Sequence, residues 1–272
     1  MSTVTSSDGT QIAYETSGNG PALILVDGAL CHREFGPSAD LAELLEPHFT
    51  VYRYDRRGRG QSGDTQPYSR EREVDDLAAL VQAAGGSAHL YGISSGGALA
   101  LDAANRVPGV DKVAIYEPPF VVDPSGNVMP DDFRQRLQHL VDAGERGKAV
   151  RAFMRLVGAP AIVAAIMRVT PAWKKLKAVA HTLPYDFAIL DGTGRGEPLP
   201  ADRWSSVRTP TLVMAGGKSD EWMRDGARGV LEVVPHAEYR TLEGQNHMLK
   251  AEAVAPALIE HFVAPRREPA AA

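Results

Sequence analysis

The stretch Ala88-His89-Leu90-Tyr91-Gly92-Ile93-Ser94-Ser95-Gly96-Gly97-Ala98-Leu99 decides how this chain is read. It opens as a short β-like run over 88–91, and from Ser95 onward Leu99, Ala103 and Val107 recur on one helical face. Between the two lies Gly92-Ile93-Ser94-Ser95-Gly96, which has the form G-x-S-x-G. In a chain with 26 glycines the string alone is a weak signal. Its position is more specific, because it falls where a strand turns into a helix, the setting in which such a serine is presented for reaction. The turn forces strained backbone on the serine, and the flanking glycines let strand and helix approach. Ser94 is then expected alone at the carboxyl edge of a sheet; the bland alternative is a glycine-rich turn with a solvated serine.

Outward from that turn, β-like runs at 11–15, 22–26, 49–55, 88–91 and 112–116 alternate with helical stretches at 38–46, 70–84 and 95–107. This alternation predicts an α/β fold with a mostly parallel central sheet covered by helices on both faces. After Pro118-Pro119 it stops. Residues from Asp131 to about Leu190 read as a run of helices, and alternation returns with a strand at 211–215, a helix at 221–233, a short strand at 237–241 and a final helix at 251–263. The expected organisation is a core over 1–120 and 203–264, a helical lid over 121–202, and a frayed tail over 265–272.

Composition narrows the function classes. The chain has 272 residues, 44% hydrophobic and 23% charged, as expected for a folded globular protein. Its single cysteine, Cys31, can form neither an internal disulfide nor a multi-cysteine metal site. No targeting pattern or membrane-spanning run is read, so a cytoplasmic location with no membrane partner is expected. A formal net charge of -5 repels phosphate backbones, which argues against nucleic acid. The expected partner is a small-molecule substrate, with no cofactor and no metal; oligomeric state stays open.

Some motifs fail on context. Gly58-Arg59-Gly60-Gln61-Ser62-Gly63 matches the dinucleotide fingerprint but is followed by Asp64-Thr65-Gln66-Pro67 where a helix must open. Gly217-Lys218-Ser219 resembles the end of a phosphate loop, yet the glycine required five residues earlier is Leu212. His32-Arg33-Glu34 lacks the paired cysteines of a zinc deaminase.

A serine hydroxyl needs a base, and the base needs an acid to orient it. Among eight histidines, His247 is singled out because it follows the last short strand in a glycine-containing loop that opens onto the final helix. Two acids compete. Asp220 lies beyond the strand at 211–215, where its alternative role is helix capping; Glu117 closes the strand at 112–116 and is followed by two prolines that fix its direction. The reading favours Asp220 and keeps Glu117 as the alternative.

With these residues in place the chain resembles the α/β-hydrolase-fold superfamily, in its serine-nucleophile, esterase- or lactonase-like branch. The resemblance covers nearly the whole chain: a loop after the third strand (Asp27-Gly28-Ala29), a D-x-R-G-x-G-x-S-like segment (Asp55 to Ser62), the nucleophile elbow at Ser94, then an acid and a histidine. It implies an oxyanion hole made by the backbone N–H groups of Ala29 and Ser95. Asp27 stands where the family usually has histidine, which puts a carboxylate near that hole unless it is turned away or hydrogen-bonded.

The implied chemistry is hydrolysis of a carboxylic ester or lactone through an acyl-enzyme. Phe120 and, in the insertion, Phe153, Met154, Ile162, Val163, Met167, Trp173, Tyr185 and Phe187 are candidates to line an apolar pocket, with packing as their ordinary role. Together they favour a medium-sized apolar or aromatic substrate. A carbon-carbon bond hydrolase or lyase-like member, a cofactor-free perhydrolase or haloperoxidase-like enzyme, and a non-catalytic binding protein remain as alternatives.

Overall fold

The computed structural model describes residues 1–265, so the tail expected to fray lies, apart from Pro265, outside the described residues. In chain order the first part runs β1 (Ser2–Thr5), β2 (Gln11–Ser17), β3 (Ala22–Val26), α1 (Ser38–Leu45), β4 (Thr50–Tyr54), α2 (Arg70–Ala83), β5 (Ala88–Ile93), α3 (Ser95–Arg106) and β6 (Val110–Tyr116). An insertion follows with α4 (Phe133–Asp142), α5 (Arg146–Leu156), α6 (Ala161–Met167), α7 (Pro171–Val179), α8 (Leu183–Ile189) and α9 (Ala201–Trp204). The chain closes with β7 (Thr211–Gly216), α10 (Glu221–Val233), β8 (Glu238–Leu242) and α11 (Ala251–Val263).

The strands form one sheet in the order β1-β2-β4-β3-β5-β6-β7-β8. β2 pairs antiparallel with both β1 and β4, and all pairings from β4 to β8 are parallel. Helices cover both faces, so the central strands are apolar on both sides and read as continuous hydrophobic runs. One layer packs α2, α3 and α10 through Leu77, Leu99 and Val230; the other packs α1 and α11 through Leu45 and Leu258. β1 has no counterpart among the β-like runs of the sequence, because Ser2–Thr5 is a short, largely exposed edge strand without an alternating apolar pattern. Its signal was the Asp8-Gly9 turn, with Gly9 at φ +85°, that pairs it with β2.

The insertion has its own apolar cluster, built on Phe133, Leu137, Met154, Trp173, Leu183 and Phe187, and this cluster takes in Leu30 and Ala29 from the loop after β3. Its return to the sheet begins early. Ile189, Leu190, Leu199 and Trp204 already belong to the core layer of α3 and α10, and the Trp204 indole donates to Asp102 at 2.9 Å. Among the described residues no helix is long and apolar enough to cross a membrane.

The elbow is built on close backbone approach. A Cβ on Gly96 would lie 2.7 Å from the Asp27 carbonyl oxygen and would overlap that of Val26 outright, whereas one on Gly97 would meet the Gly92 oxygen at 3.3 Å and Ile115 Cβ at 3.4 Å. Gly96→Ala is therefore expected to cost about 3 kcal/mol or more by overpacking, and Gly97→Ala less than about 1 kcal/mol, because helix propensity offsets a small repacking. Urea denaturation of the two variants checks the difference.

Candidate active site

Ser94 sits between the end of β5 and the start of α3 at φ 57°, ψ -130°. Its N–H donates to the Tyr116 carbonyl at 2.9 Å, and its own carbonyl accepts from the Gly97 N–H at 2.9 Å. Gly28 abuts it so closely that an added Cβ would lie 2.9 Å from Ser94 Cβ and 3.5 Å from its Oγ. Leu30 (φ 62°), Ser94 (φ 57°) and Glu117 (φ 44°) all have left-handed backbone without being glycine, and they follow β3, β5 and β6. Strain of this kind persists only where surrounding structure imposes it, and three of the four such residues among the described ones gather at this sheet edge, the fourth being His236 ahead of β8.

The acid that reaches His247 is Glu117. Its Oε2 is 2.9 Å from His247 Nδ1, while Oε1 accepts from the Gly216 N–H at 2.7 Å and from the Ser219 hydroxyl. The carboxylate is fully buried and the imidazole half-exposed. Burial pushes the Glu117 carboxyl up, but the hydrogen bonds from His247, Ser219 and Gly216 outweigh it and hold the group below the ordinary glutamate value. An ionised carboxylate on Nδ1 orients the ring and leaves Nε2 to accept a proton. The His247 loop is held in turn by Tyr116, whose hydroxyl donates to the Asn246 carbonyl at 2.8 Å, and by the Lys218 N–H on the Gln245 carbonyl at 2.8 Å.

Asp220, the acid favoured from sequence, stands elsewhere. It is exposed at the start of α10, where its carbonyl accepts from the Met223 and Arg224 N–H groups at 3.1 and 3.3 Å. The reason is local. The turn at Gly216-Gly217 carries Ser219 inward onto Glu117, so the next residue faces solvent at the helix start. Ser94 and Glu117 come to one edge because Ile93 pairs with Tyr116 in register and the following residues leave adjacent strands together, and the parallel pairing of β7 with β8 brings the loop of His247 to the same edge.

Around this edge lies a buried ionic network that sequence reasoning missed. Asp55 accepts from the Arg33 N–H at 2.8 Å and the Gln61 N–H at 2.9 Å, so the glycines of the false dinucleotide match (Gly58 at φ +74°, Gly60 at φ +52°) serve to wrap the chain around a carboxylate. Arg56 binds Glu73 through two hydrogen bonds, at 2.7 and 2.8 Å, and Arg57 binds Asp76 likewise, at 2.8 and 2.7 Å. Arg56 and Arg59 both reach Asp186 of α8. Three arginines within Asp55-Arg56-Arg57-Gly58-Arg59 was the available signal, but their partners lie 15 to more than 120 residues away.

Asp27 is buried, and its Oδ2 accepts from the Ser38 hydroxyl at 2.9 Å, which directs the carboxyl toward α1. Burial pushes it up to about 6 against the lowering effect of Ser38 and of Arg59, Arg56 and Arg53. Burial also pushes the Cys31 thiol up to about 12, so it carries little thiolate at neutral pH.

The candidate lining residues divide. Phe120 is fully buried in the sheet core, 5.3 Å from the Trp204 ring, and lies outside the insertion's own apolar cluster. Phe153, Met154, Met167, Trp173 and Phe187 belong to the insertion cluster that also holds Ala29 and Leu30, with Phe187 edge-on to Phe133 at 4.9 Å. Tyr185 stacks on Tyr68 at 3.8 Å, and Ile162 and Val163 are exposed on α6.

Residues 20–257 match the model of the alpha/beta hydrolase family. The chain belongs to that family. It is 30% identical over 261 residues to a pimeloyl-[acyl-carrier protein] methyl ester esterase of Xanthomonas campestris pv. campestris (strain B100), covering 91% of this chain and 96% of that one. Among solved structures it is similar to an alpha/beta hydrolase from Sphaerobacter thermophilus DSM 20745, with 48% identity, a TM-score of 0.88, and coverage of 96% and 100% of the two chains. An enol-lactonase from Burkholderia xenovorans LB400, at 20% identity and a TM-score of 0.68 over 97% and 100% of the chains, shares the fold.

Two outcomes are expected. Glu117→Gln should lower kcat for ester turnover by about 10³–10⁴-fold, as when a triad acid is neutralised, while Asp220→Asn should leave it within about twofold; steady-state assays on both variants decide between the acids. For Asp27, a carboxyl raised above its unfolded value of 3.8 favours folding only while protonated, so its contribution falls as pH rises from about 4 to about 6. Asp27→Asn should raise Tm at pH 8 by several degrees and leave it unchanged below pH 4, measured by thermal unfolding across that range.

Proposed function

We propose that this protein is a serine esterase in which Ser94 is the nucleophile, His247 the general base and Glu117 the orienting acid. The observation that carries this reading is the buried Glu117 carboxylate on His247 Nδ1, set on the strand beside a strained Ser94. Ser94 Oγ attacks the ester carbonyl carbon as His247 Nε2 takes the hydroxyl proton, and the carbonyl oxygen becomes an oxyanion. The N–H groups of Ala29 and Ser95 receive that oxyanion, Ser95 as the residue after the nucleophile and Ala29 on the loop that Gly28 presses against Ser94. Collapse expels the alcohol, which takes its proton from His247. Water then attacks the acyl-enzyme, giving a proton to the same imidazole, and the adduct collapses by breaking the bond to Ser94 Oγ, which takes that proton back as the acid is released.

The insertion acts as a lid over residues 121–202. Its aromatic cluster adjoins the proposed hole through Ala29 and Leu30, which supports esters with medium-sized apolar or aromatic acyl groups. The name of the Xanthomonas relative, a methyl ester esterase, supports ester cleavage here too. The Asp27 carboxyl, occupied by Ser38, is compatible with an anion forming at the neighbouring loop.

A serine-reactive aryl phosphonate tests the reading. Intact mass and peptide mapping should show one adduct on Ser94 in the native chain, none in Ser94→Ala, and labelling slowed by at least about 10³-fold in His247→Ala. Labelling elsewhere, or at an unchanged rate without His247, would overturn it.

A further inference from the structure

Both N–H groups assigned to the oxyanion hole are tied to one carboxylate of the insertion. Asp186 lies on α8 and is only 1% exposed. Its Oδ1 accepts from the Ser95 hydroxyl at 2.7 Å and from Arg56 Nη1 at 2.8 Å, and Arg59 Nη2 donates to both carboxylate oxygens at 2.9 Å. The same guanidiniums hold the loop after β3 by its carbonyls. Arg59 Nη1 donates to Gly28 O at 2.6 Å and to Cys31 O at 3.3 Å, and Arg56 Nη1 donates to Asp27 O at 3.2 Å.

The geometry points to Asp186 as a positioning residue for the oxyanion hole, an inference that rests on the esterase reading above. In a planar trans peptide the C=O and N–H point in opposite directions. When Arg59 draws the Gly28 carbonyl to itself, the Ala29 N–H of the same peptide is turned to the other side. Gly28 packs against Ser94, so the orientation of that one peptide decides whether the N–H serves the reacting carbonyl. Ser95 is the first residue of α3, and its hydroxyl on Asp186 fixes the second donor. Asp186 thus holds the residue that bears one donor by its hydroxyl, and the peptide of the other through Arg59.

Charge explains why the tether is stiff. Arg56 and Arg59 face Asp186 and Glu73 in a fully buried group whose formal charges cancel, so neither arginine can leave without stranding a carboxylate in the interior. α8 also carries Phe187, which packs on Phe133 in the cluster that includes Ala29. The lid and the hole are therefore one mechanical unit. Hole donors act on charge that develops in the transition state, so a loosened hole should appear in kcat and leave substrate binding little changed.

The test uses the full chain with p-nitrophenyl butyrate, active sites counted by phosphonate titration, and an aryl trifluoromethyl ketone, whose adduct with a serine carries an oxyanion. Wild type and Ser94→Ala first establish Ser94-dependent turnover; without it the esterase reading fails, and this inference with it. Given that turnover, Asp186→Asn should lower kcat per titrated site by about 10–100-fold and Ser95→Ala by about 3–10-fold, with KM within about twofold. Affinity for the ketone should fall by the same factor as kcat/KM. A purely structural role would lower Tm or the titrated fraction and leave kcat per site and ketone affinity within twofold of wild type, which overturns the proposal. Should Asp186→Asn not fold, Ser95→Ala decides alone, because it deletes one hydroxyl and keeps the backbone N–H.

Discussion

The site depends on how closely β3, β5 and the start of α3 approach one another. Gly92 and Gly96 let backbone lie directly on backbone at the elbow, and Gly28 lets the loop after β3 lie against Ser94. A side chain at Gly28 or Gly96 would push the elbow away from that loop, and one at Gly92 would push the start of α3 off β5. Local strain follows from the same closeness, since Ser94 and Leu30 take left-handed conformations without glycine's freedom. The energy for this comes from sheet and helix packing on both faces, where the central strands are buried almost throughout.

Buried charge gives the edge its stiffness. The segment from Asp55 to Ser62 spends its glycines and arginines on wrapping one carboxylate and anchoring others, and Arg56, Arg57 and Arg59 are all inaccessible to solvent. Such groups add little net stability over an apolar core, yet breaking one pair is costly, so they favour a single arrangement. Here that arrangement connects three parts of the chain distant in sequence: the loop after β3, the elbow and α8 of the insertion.

Much of this was legible in the chain. The α/β alternation, the helical insertion and the strand-turn-helix setting of Ser94 are periodic or local patterns, and the elements fall within a few residues of where those patterns end. The loop position of His247 was legible by elimination, since the other histidines adjoin helices, strands or an early loop. Less legible were the edge strand β1, which has no apolar alternation, and the placement of Phe120, which directly after two prolines turns back into the core. The partners of the arginines could not be read at all, because charged residues on helices such as Glu73, Asp76 and Asp186 look like solvated positions until the fold buries them.

The choice between Asp220 and Glu117 marks the boundary between the two kinds of information. Sequence by itself determined the fold class and the strand-turn-helix setting of Ser94, and it offered two carboxylates, each beyond a late strand, as partners for His247. Only tertiary structure decided which of the two carboxylates meets His247, because that contact rests on three long-range facts. Glu117 leaves β6 at positive φ, Gly216 and Ser219 from the next strand's loop fill one of its oxygens, and the loop after β8 brings His247 to the other. Hydrogen bonds between residues a hundred positions apart leave no periodic trace in a chain, since each side is satisfied only when sheet register brings the strand ends together.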